Sequence, residues 1–306
     1  SPWALEAQWS SGLIGDDPPR TAAWGYCDRD YPREAIVSPY QFETAEAHYA
    51  ALLEETRGRG GPTVHTPETM PSDWNGRYVW RRGQNWYAEL LWNQFPTVLS
   101  LLTPEYQTRM VQEAYHQGNT NVSQWPAQYC WPEGFMRRWH EAAVWEHYVM
   151  VTPQVVQIMA GVARNFITNI HIGREFNMED VANGGVPRLG EAVPRWYGET
   201  VGFWDGDTLI IETSHFNGYT KLDTAGHPHS RQLKLTNTFR RIDAQTMEHT
   251  VTVEDPRAYT QPWMNVRTWR TKPANDVIME YSCEENNLEN LINGTITPWK
   301  PPTDVE

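Results

Sequence analysis

Beyond Pro153 the apolar positions of the chain settle into a period of two. The runs Val155–Met159, Phe166–Ile172, Glu199–Phe203, Thr208–Glu212, Gln232–Arg240, Glu248–Glu254, Trp263–Trp269 and Asp276–Cys283 read as strands, because successive side chains of a pleated strand point to opposite faces. Their short separations are those of hairpins rather than of strand–helix–strand units. Asp205-Gly206 is a two-residue hairpin signal, since a type I′ turn needs positive φ at both central positions. Alternation also predicts the inward face. Leu233, Leu235, Asn237 and Phe239 share one side, as do His249, Val251 and Val253, and likewise Val277, Met279, Tyr281 and Cys283. Asn237, His249 and Tyr281 are then polar groups in an apolar interior, where each needs a hydrogen bond or a ligand.

The first half follows other periods. AEAHYAALLEETR, from Ala45 to Arg57, has apolar residues near helical spacing and closes on Gly58, so it predicts a helix. A second helix is expected from about Pro104 to His116, with Thr103 as N-cap, Pro104 at the first helical position and Gly118 as the stop. The Trp-rich segment from Trp74 to Trp92 shows neither period clearly. These signals predict a mainly β protein with a helical N-terminal half: an antiparallel up-and-down, lipocalin-like β-barrel of about eight strands, wrapped by helices and loops. A sandwich is the alternative. Residues 1–150 are expected to wrap, 151–290 to form the barrel and 291–306, with three prolines, to be a tail of one compact unit.

The net charge of −13 argues against broad contact with nucleic acid, which needs clustered Lys and Arg. The pairs Arg81-Arg82, Arg137-Arg138 and Arg240-Arg241 read better as solvated faces or internal ion pairs. No run approaches the roughly 20 apolar residues of a membrane span. Three cysteines, Cys27, Cys130 and Cys283, allow one disulfide, in which Cys130 has either of the others as partner; none has the spacing of a cysteine zinc site. Cys130 as a nucleophile would need His140 or His147 beside it, and a structural cysteine is the simpler reading. The chain starts at Ser1, as it would after removal of a signal peptide. The 16 Trp, 14 Tyr and 8 Phe can fill a core, and they can equally line a pocket for an aromatic or polycyclic ligand.

Between Gly198 and Trp263 the segments GETVGFWDGDTLIIET, LDTAGHPHS, LKLTNTFRR and EDPRAYTQPW follow one another with short gaps. In order and wording they resemble a family of mostly uncharacterised bacterial exported proteins, in which a G-x-S/T-x-G-x-W-E/D-G-D-T-L hairpin precedes a D-P-x-x-Y-T-x-P-W strand. Leu102-Thr103-Pro104-Glu105, the segment from Cys130 to Arg137, Ile170 to Arg174 and Tyr281 to Asn286 extend the likeness over roughly Trp74 to Asn290. It departs from the family's C-x-P-x-G-M-P-R and R-I-Y-T-D-G-R patterns, and the first 70 or so residues have no counterpart. The resemblance implies the barrel and a periplasmic or secreted location.

No G-x-G-x-x-G, Walker-type loop or G-x-S-x-G elbow is present, which disfavours dinucleotide, phosphoryl and α/β-hydrolase chemistry. The expected function is therefore a lyase, isomerase or cyclase that needs no cofactor and acts on an apolar aromatic or polycyclic small molecule. His227 or His229 in the HPH loop is the candidate base, with His249 or Tyr281 as acid or hydrogen-bond donor; Asp223 and His171 complete the catalytic candidates. Trp204, Tyr259, Trp263, Asn237, Phe239 and Arg174 are the candidate substrate contacts, with Tyr259 and Trp263 expected at the barrel entrance. The alternatives are a secreted carrier without catalysis, and a metal-dependent hydrolase in which His227 and His229 bind the metal with Asp223, His215 or His171 as third ligand.

Overall fold

The computed structural model describes residues 44–80, 101–110, 147–160, 166–176, 196–222 and 227–273. Helix α1 spans Ala45–Arg57 as predicted, because both its ends are written locally: the Thr44 hydroxyl accepts from the Ala47 amide at 3.1 Å, and Gly58 follows the last turn. Nine strands follow: β1 Gly76–Trp80, β2 His147–Val151, β3 Val155–Ala160, β4 Phe166–Ile172, β5 Glu199–Asp205, β6 Thr208–Ser214, β7 Lys234–Asp243, β8 Thr246–Glu254 and β9 Trp263–Thr271. The sheet curls until β1 pairs with both β2 and β9, so that the hydrogen-bonded order returns to its start.

The sheet is mixed. Strand β5 pairs with β4 in parallel, through His171 opposite Val201 and Ile172 opposite Gly202, whereas the other neighbours are antiparallel. This corrects the expectation of a purely up-and-down order. A hairpin needs a short connection, and the long stretch 173–198 between β4 and β5 permits a crossover instead. The first half, expected to wrap the sheet, also supplies two of its strands, β1 and β2; besides α1, its described helical residues are the single turn Ser72–Trp74 and residues 101 and 104–110. The Thr103 hydroxyl donates to the Arg257 carbonyl at 2.9 Å, and the Thr103 carbonyl accepts from the Gln107 amide at 2.8 Å. The strand expected at Asp276–Cys283, the three cysteines and the tail lie outside the described residues.

The β5–β6 turn is Gly206-Asp207, one residue later than expected. Only Gly206 has positive φ, 59°, which fits a II′-like turn and not the I′ type. Strands β5 and β6 are covered on both faces. Outside, Tyr49, Leu52 and Leu53 of α1 pack with Val201, Phe203 and Ile210; inside, Trp204, Leu209 and Ile211 join the main core. Gly202 sits where β4 and β6 crowd β5: a Cβ there would lie 2.8 Å from the Ile210 carbonyl oxygen and 2.9 Å from Ile170 Cγ2.

Both ends of the curled sheet are covered. At the β5–β6 turn end, the Thr63 amide donates to Trp204 O at 2.7 Å, its hydroxyl accepts from the Gly206 amide at 2.9 Å, and the Trp74 ring meets Trp204 edge-on at 4.8 Å. At the far end, the Thr103 amide donates to Ala258 O at 2.8 Å, and the Thr260 amide to Leu101 O at 2.7 Å. Among the described residues no helix is long and apolar enough to cross a membrane.

Candidate functional site

The residues with chemistry inside the sheet come together at its β5–β6 turn end. Cross-strand register sets Trp204 beside Leu209, Leu209 beside Phe239 and Phe239 beside His249, one row across β5 to β8. Asn237, two residues before Phe239, shares the inward face and lies diagonal to His249. His249 Nε2 is 2.9 Å from Asn237 Oδ1. An amide oxygen only accepts, so Nε2 carries the proton and Nδ1 is the basic nitrogen of this tautomer. The His249 ring stacks on Phe239 at 4.0 Å with 10° between planes, and Trp269 meets both rings edge-on, at 5.4 and 5.0 Å. The periodicity of β7 and β8 thus predicted the inward placement of Asn237, Phe239 and His249, all buried.

Trp269 carries a second histidine on its other contacts: His147 of β2 stacks on it at 4.3 Å, and Tyr78 of β1 lies at 6.2 Å. Strand periodicity read only from Pro153 onward misses both. The signal was present in HYVMV, where His147, Val149 and Val151 alternate with Tyr148 and Met150 and are the buried set. The walls around this cluster are apolar, yet Asn237 Nδ2 and the Nε1 atoms of Trp204, Trp263 and Trp269 have no hydrogen-bond partner among the described residues. Each such buried donor costs about 1–3 kcal/mol if it stays unpaired.

The HPH loop forms a different structure, at the opposite end. His227 and His229 are fully buried rather than open at an entrance. His229 Nδ1 donates to the Ser230 carbonyl at 3.0 Å, and Nε2 accepts from the Thr220 hydroxyl at 2.7 Å. Burial holds the His229 imidazole below its ordinary pKa, as do Lys221 and Arg109, while the Ser230 carbonyl and Asp255 oppose the shift. Asp255 accepts from the Ser230 amide at 2.6 Å and the Ser230 hydroxyl at 2.7 Å, and from the amides of Arg257 and Ala258. Tyr259 and Trp263, expected at an opening, are buried in this corner with rings 5.8 Å apart. The loop and the DPRAYT turn therefore brace each other, because each leaves backbone groups that the other satisfies.

The remaining candidates are dispersed. His171 lies on β4, half-buried between Val155 and Val201. Arg174 pairs across the parallel seam with the buried Glu199 at 2.5 Å. His215 faces α1, its Nε2 3.1 Å from Glu46. Asp223 and Tyr281 lie outside the described residues. Among the described residues no three His, Cys, Asp or Glu side chains gather closely enough to hold a metal ion.

Outside the sheet, α1 covers a further polar set. His48 Nδ1 is 3.5 Å from Glu212 Oε1, and the Thr236 hydroxyl donates to Glu212 Oε2 at 2.6 Å. Burial raises the Glu212 carboxyl above the ordinary range, with His48, Thr236 and Lys234 acting against it. A shallow groove of about 380 Å³ lies nearby, lined by Thr44, Glu46, Ser214, Gln232, Lys234 and Pro256. Lys234 is paired with Glu254 at 2.7 Å, while the exposed Glu46 carboxylate lies 3.1 Å from His215 Nε2.

Compared with known proteins, the chain is matched by no family model and by no curated protein.

Proposed function

We propose that the chain binds a flat, apolar aromatic or polycyclic molecule within a lipocalin-like barrel and moves protons on it by histidine, as a lyase, isomerase or cyclase that needs no cofactor. The observation that carries this reading is the buried His249–Asn237 pair, 2.9 Å apart within a wall of Phe239 and Trp269. Asn237 orients the imidazole and selects its tautomer, while the aromatic walls exclude water and offer flat surfaces for a ring system. The site centres on His249, with Asn237, Phe239, Trp204 and Trp269 as contacts. His227 and His229 are assigned to bracing the opposite end, since both nitrogens of His229 are engaged. Metal-dependent hydrolysis through that loop has no support among the described residues. A periplasmic or secreted location belongs to the same reading and rests on the family resemblance of the Gly198–Trp263 segments.

Native mass spectrometry of freshly purified protein should reveal a bound organic mass, and that compound is the substrate to assay. His249→Ala is expected to bind it within about tenfold of the parent affinity while turnover falls by roughly a hundredfold or more. Undiminished turnover in that variant overturns the assignment. A carrier without chemistry is the second reading, favoured by the close stacking that holds His249 against Phe239; it predicts a bound compound that the protein releases unchanged.

A further inference from the structure

We propose that Asn237 and Trp269 form an oxyanion-binding site beside His249, and that the substrate is a carbonyl compound with an acidic α C–H bond. This rests on the interior-site reading above and names its substrate class. Two observations carry it. Asn237 Nδ2 and Trp269 Nε1 are buried donors with no partner among the described residues, and both side chains flank the same imidazole. Asn237 touches His249 at 2.9 Å through its oxygen, which leaves its amide hydrogens uncommitted, and the Trp269 ring lies 5.4 Å from the imidazole.

Two donors here lack an acceptor. The cluster's one amide oxygen already accepts from His249, so a molecule that pairs with these two N–H groups must bring an acceptor to them. An oxygen that gains negative charge during reaction profits most, because preorganised N–H dipoles in a water-poor interior act without reorganising. The step balances without an oxidant. The basic Nδ1 of His249 takes the α proton, and the C–H electron pair becomes the C=C bond of an enolate. The carbonyl π pair moves to oxygen, where the two N–H groups hold it. The substrate's β,γ C=C bond makes this enolate a dienolate: as C=O re-forms, the enolate C=C pair becomes the α,β double bond and the β,γ pair takes the proton from the imidazolium at the γ carbon, so that the double bond has moved and nothing is lost or gained.

The probe is 4-nitrophenol, a flat aromatic whose ionised form mimics an enolate and absorbs in the visible, with 4-nitrotoluene as its neutral partner. The parent protein should bind 4-nitrophenol in the ionised form at a pH where the free compound is largely protonated. Trp269→Phe, which keeps the aromatic wall and removes the N–H, should weaken phenolate binding about tenfold or more and leave nitrotoluene within about twofold. Asn237→Asp, which keeps an oxygen toward His249 and replaces the donors with an acceptor, should weaken it further. A bound nitrophenol that stays protonated overturns the proposal, as does parent-like phenolate binding in both variants, and either result leaves interior binding standing. If neither probe binds the parent protein, the interior-site reading falls as well. The absorbance shift of the parent protein decides the matter should either variant fail to fold.

Discussion

The Tyr259 hydroxyl donates to the carbonyl of Pro228 at 2.9 Å, joining two segments 31 residues apart at the centre of the braced corner. Both groups are buried, so the bond is made in a setting where water cannot replace it. Tyr259→Phe removes the donor and leaves the ring in place. It should destabilise the protein by about 1–2 kcal/mol, the cost of stranding one buried carbonyl. Urea unfolding midpoints check this, with no change expected in the denaturant slope.

Asp255 holds the same corner from the other side and accepts from four donors in Ser230, Arg257 and Ala258. Asp255→Ala removes the side-chain acceptor from all of them, and only the Ala258 amide keeps another, the backbone carbonyl of residue 255 at 3.1 Å. The loss should exceed that of Tyr259→Phe and reach about 3–5 kcal/mol, the range for breaking a buried charged network. Protease susceptibility of the 227–230 loop is a second readout, since the loop loses its anchor.

His229 gives the protein an acid-sensitive term. Its folded pKa is held down, chiefly by burial, so the folded state binds fewer protons than the unfolded chain below the ordinary histidine value of about 6.5. Stability is therefore complete above that value and is lost as pH falls toward the lowered folded pKa. His229→Gln should flatten this part of the stability–pH curve while costing some stability at neutral pH. A slope unchanged by the substitution would assign the acid sensitivity elsewhere.

Glu212 acts with the opposite sign. Burial raises its folded pKa, so the folded state holds a proton that the unfolded chain has released above about 4.3. Its contribution is complete below the unfolded value and is lost as pH rises through the folded one. Glu212→Gln keeps an acceptor for the Thr236 hydroxyl and removes the titration. Denaturant midpoints measured from acid to neutral pH should then rise relative to the parent at the neutral end and converge at the acid end.

Gly202 tests the parallel seam. Its carbonyl accepts from both the Tyr49 hydroxyl, at 3.1 Å, and the Gly173 amide, at 2.8 Å, while its missing side chain leaves room for Ile170 and the Ile210 carbonyl. Gly202→Ala forces one of these apart and should cost about 1–3 kcal/mol by overpacking. Thermal melting checks it, and the loss should exceed that of an alanine at Gly206, where a Cβ meets nothing within 4 Å and only the positive φ is strained.

Much of the architecture was legible where its cause is local. The α1 limits follow from the Thr44 cap and Gly58, and β4 was read to its true ends from alternation alone. Alternation likewise placed Asn237, Phe239 and His249 on the buried face. It could not show which of them touch. His147 and Trp269 meet across the line where β1 joins β2 to β9, far apart in the chain, and neither strand's own pattern contains the other. The packing of the HPH loop was illegible for a related reason. A histidine pair in a loop has the composition of a reactive site, and only its neighbours Thr220, Asp255 and Tyr259 show how the loop is buried and held.

The amino-acid sequence by itself determined the helix α1, most of the strands and the inward face of β7 and β8, because caps, turns and side-chain periodicity act over a few residues. The tertiary structure alone decided the parallel β4–β5 seam, the entry of β1 and β2 into the sheet, the covering of both ends and the gathering of His249, Asn237, Trp269 and His147. Those depend on pairings between distant segments, whose free energy is realised only when the sheet curls and its interior is closed to water.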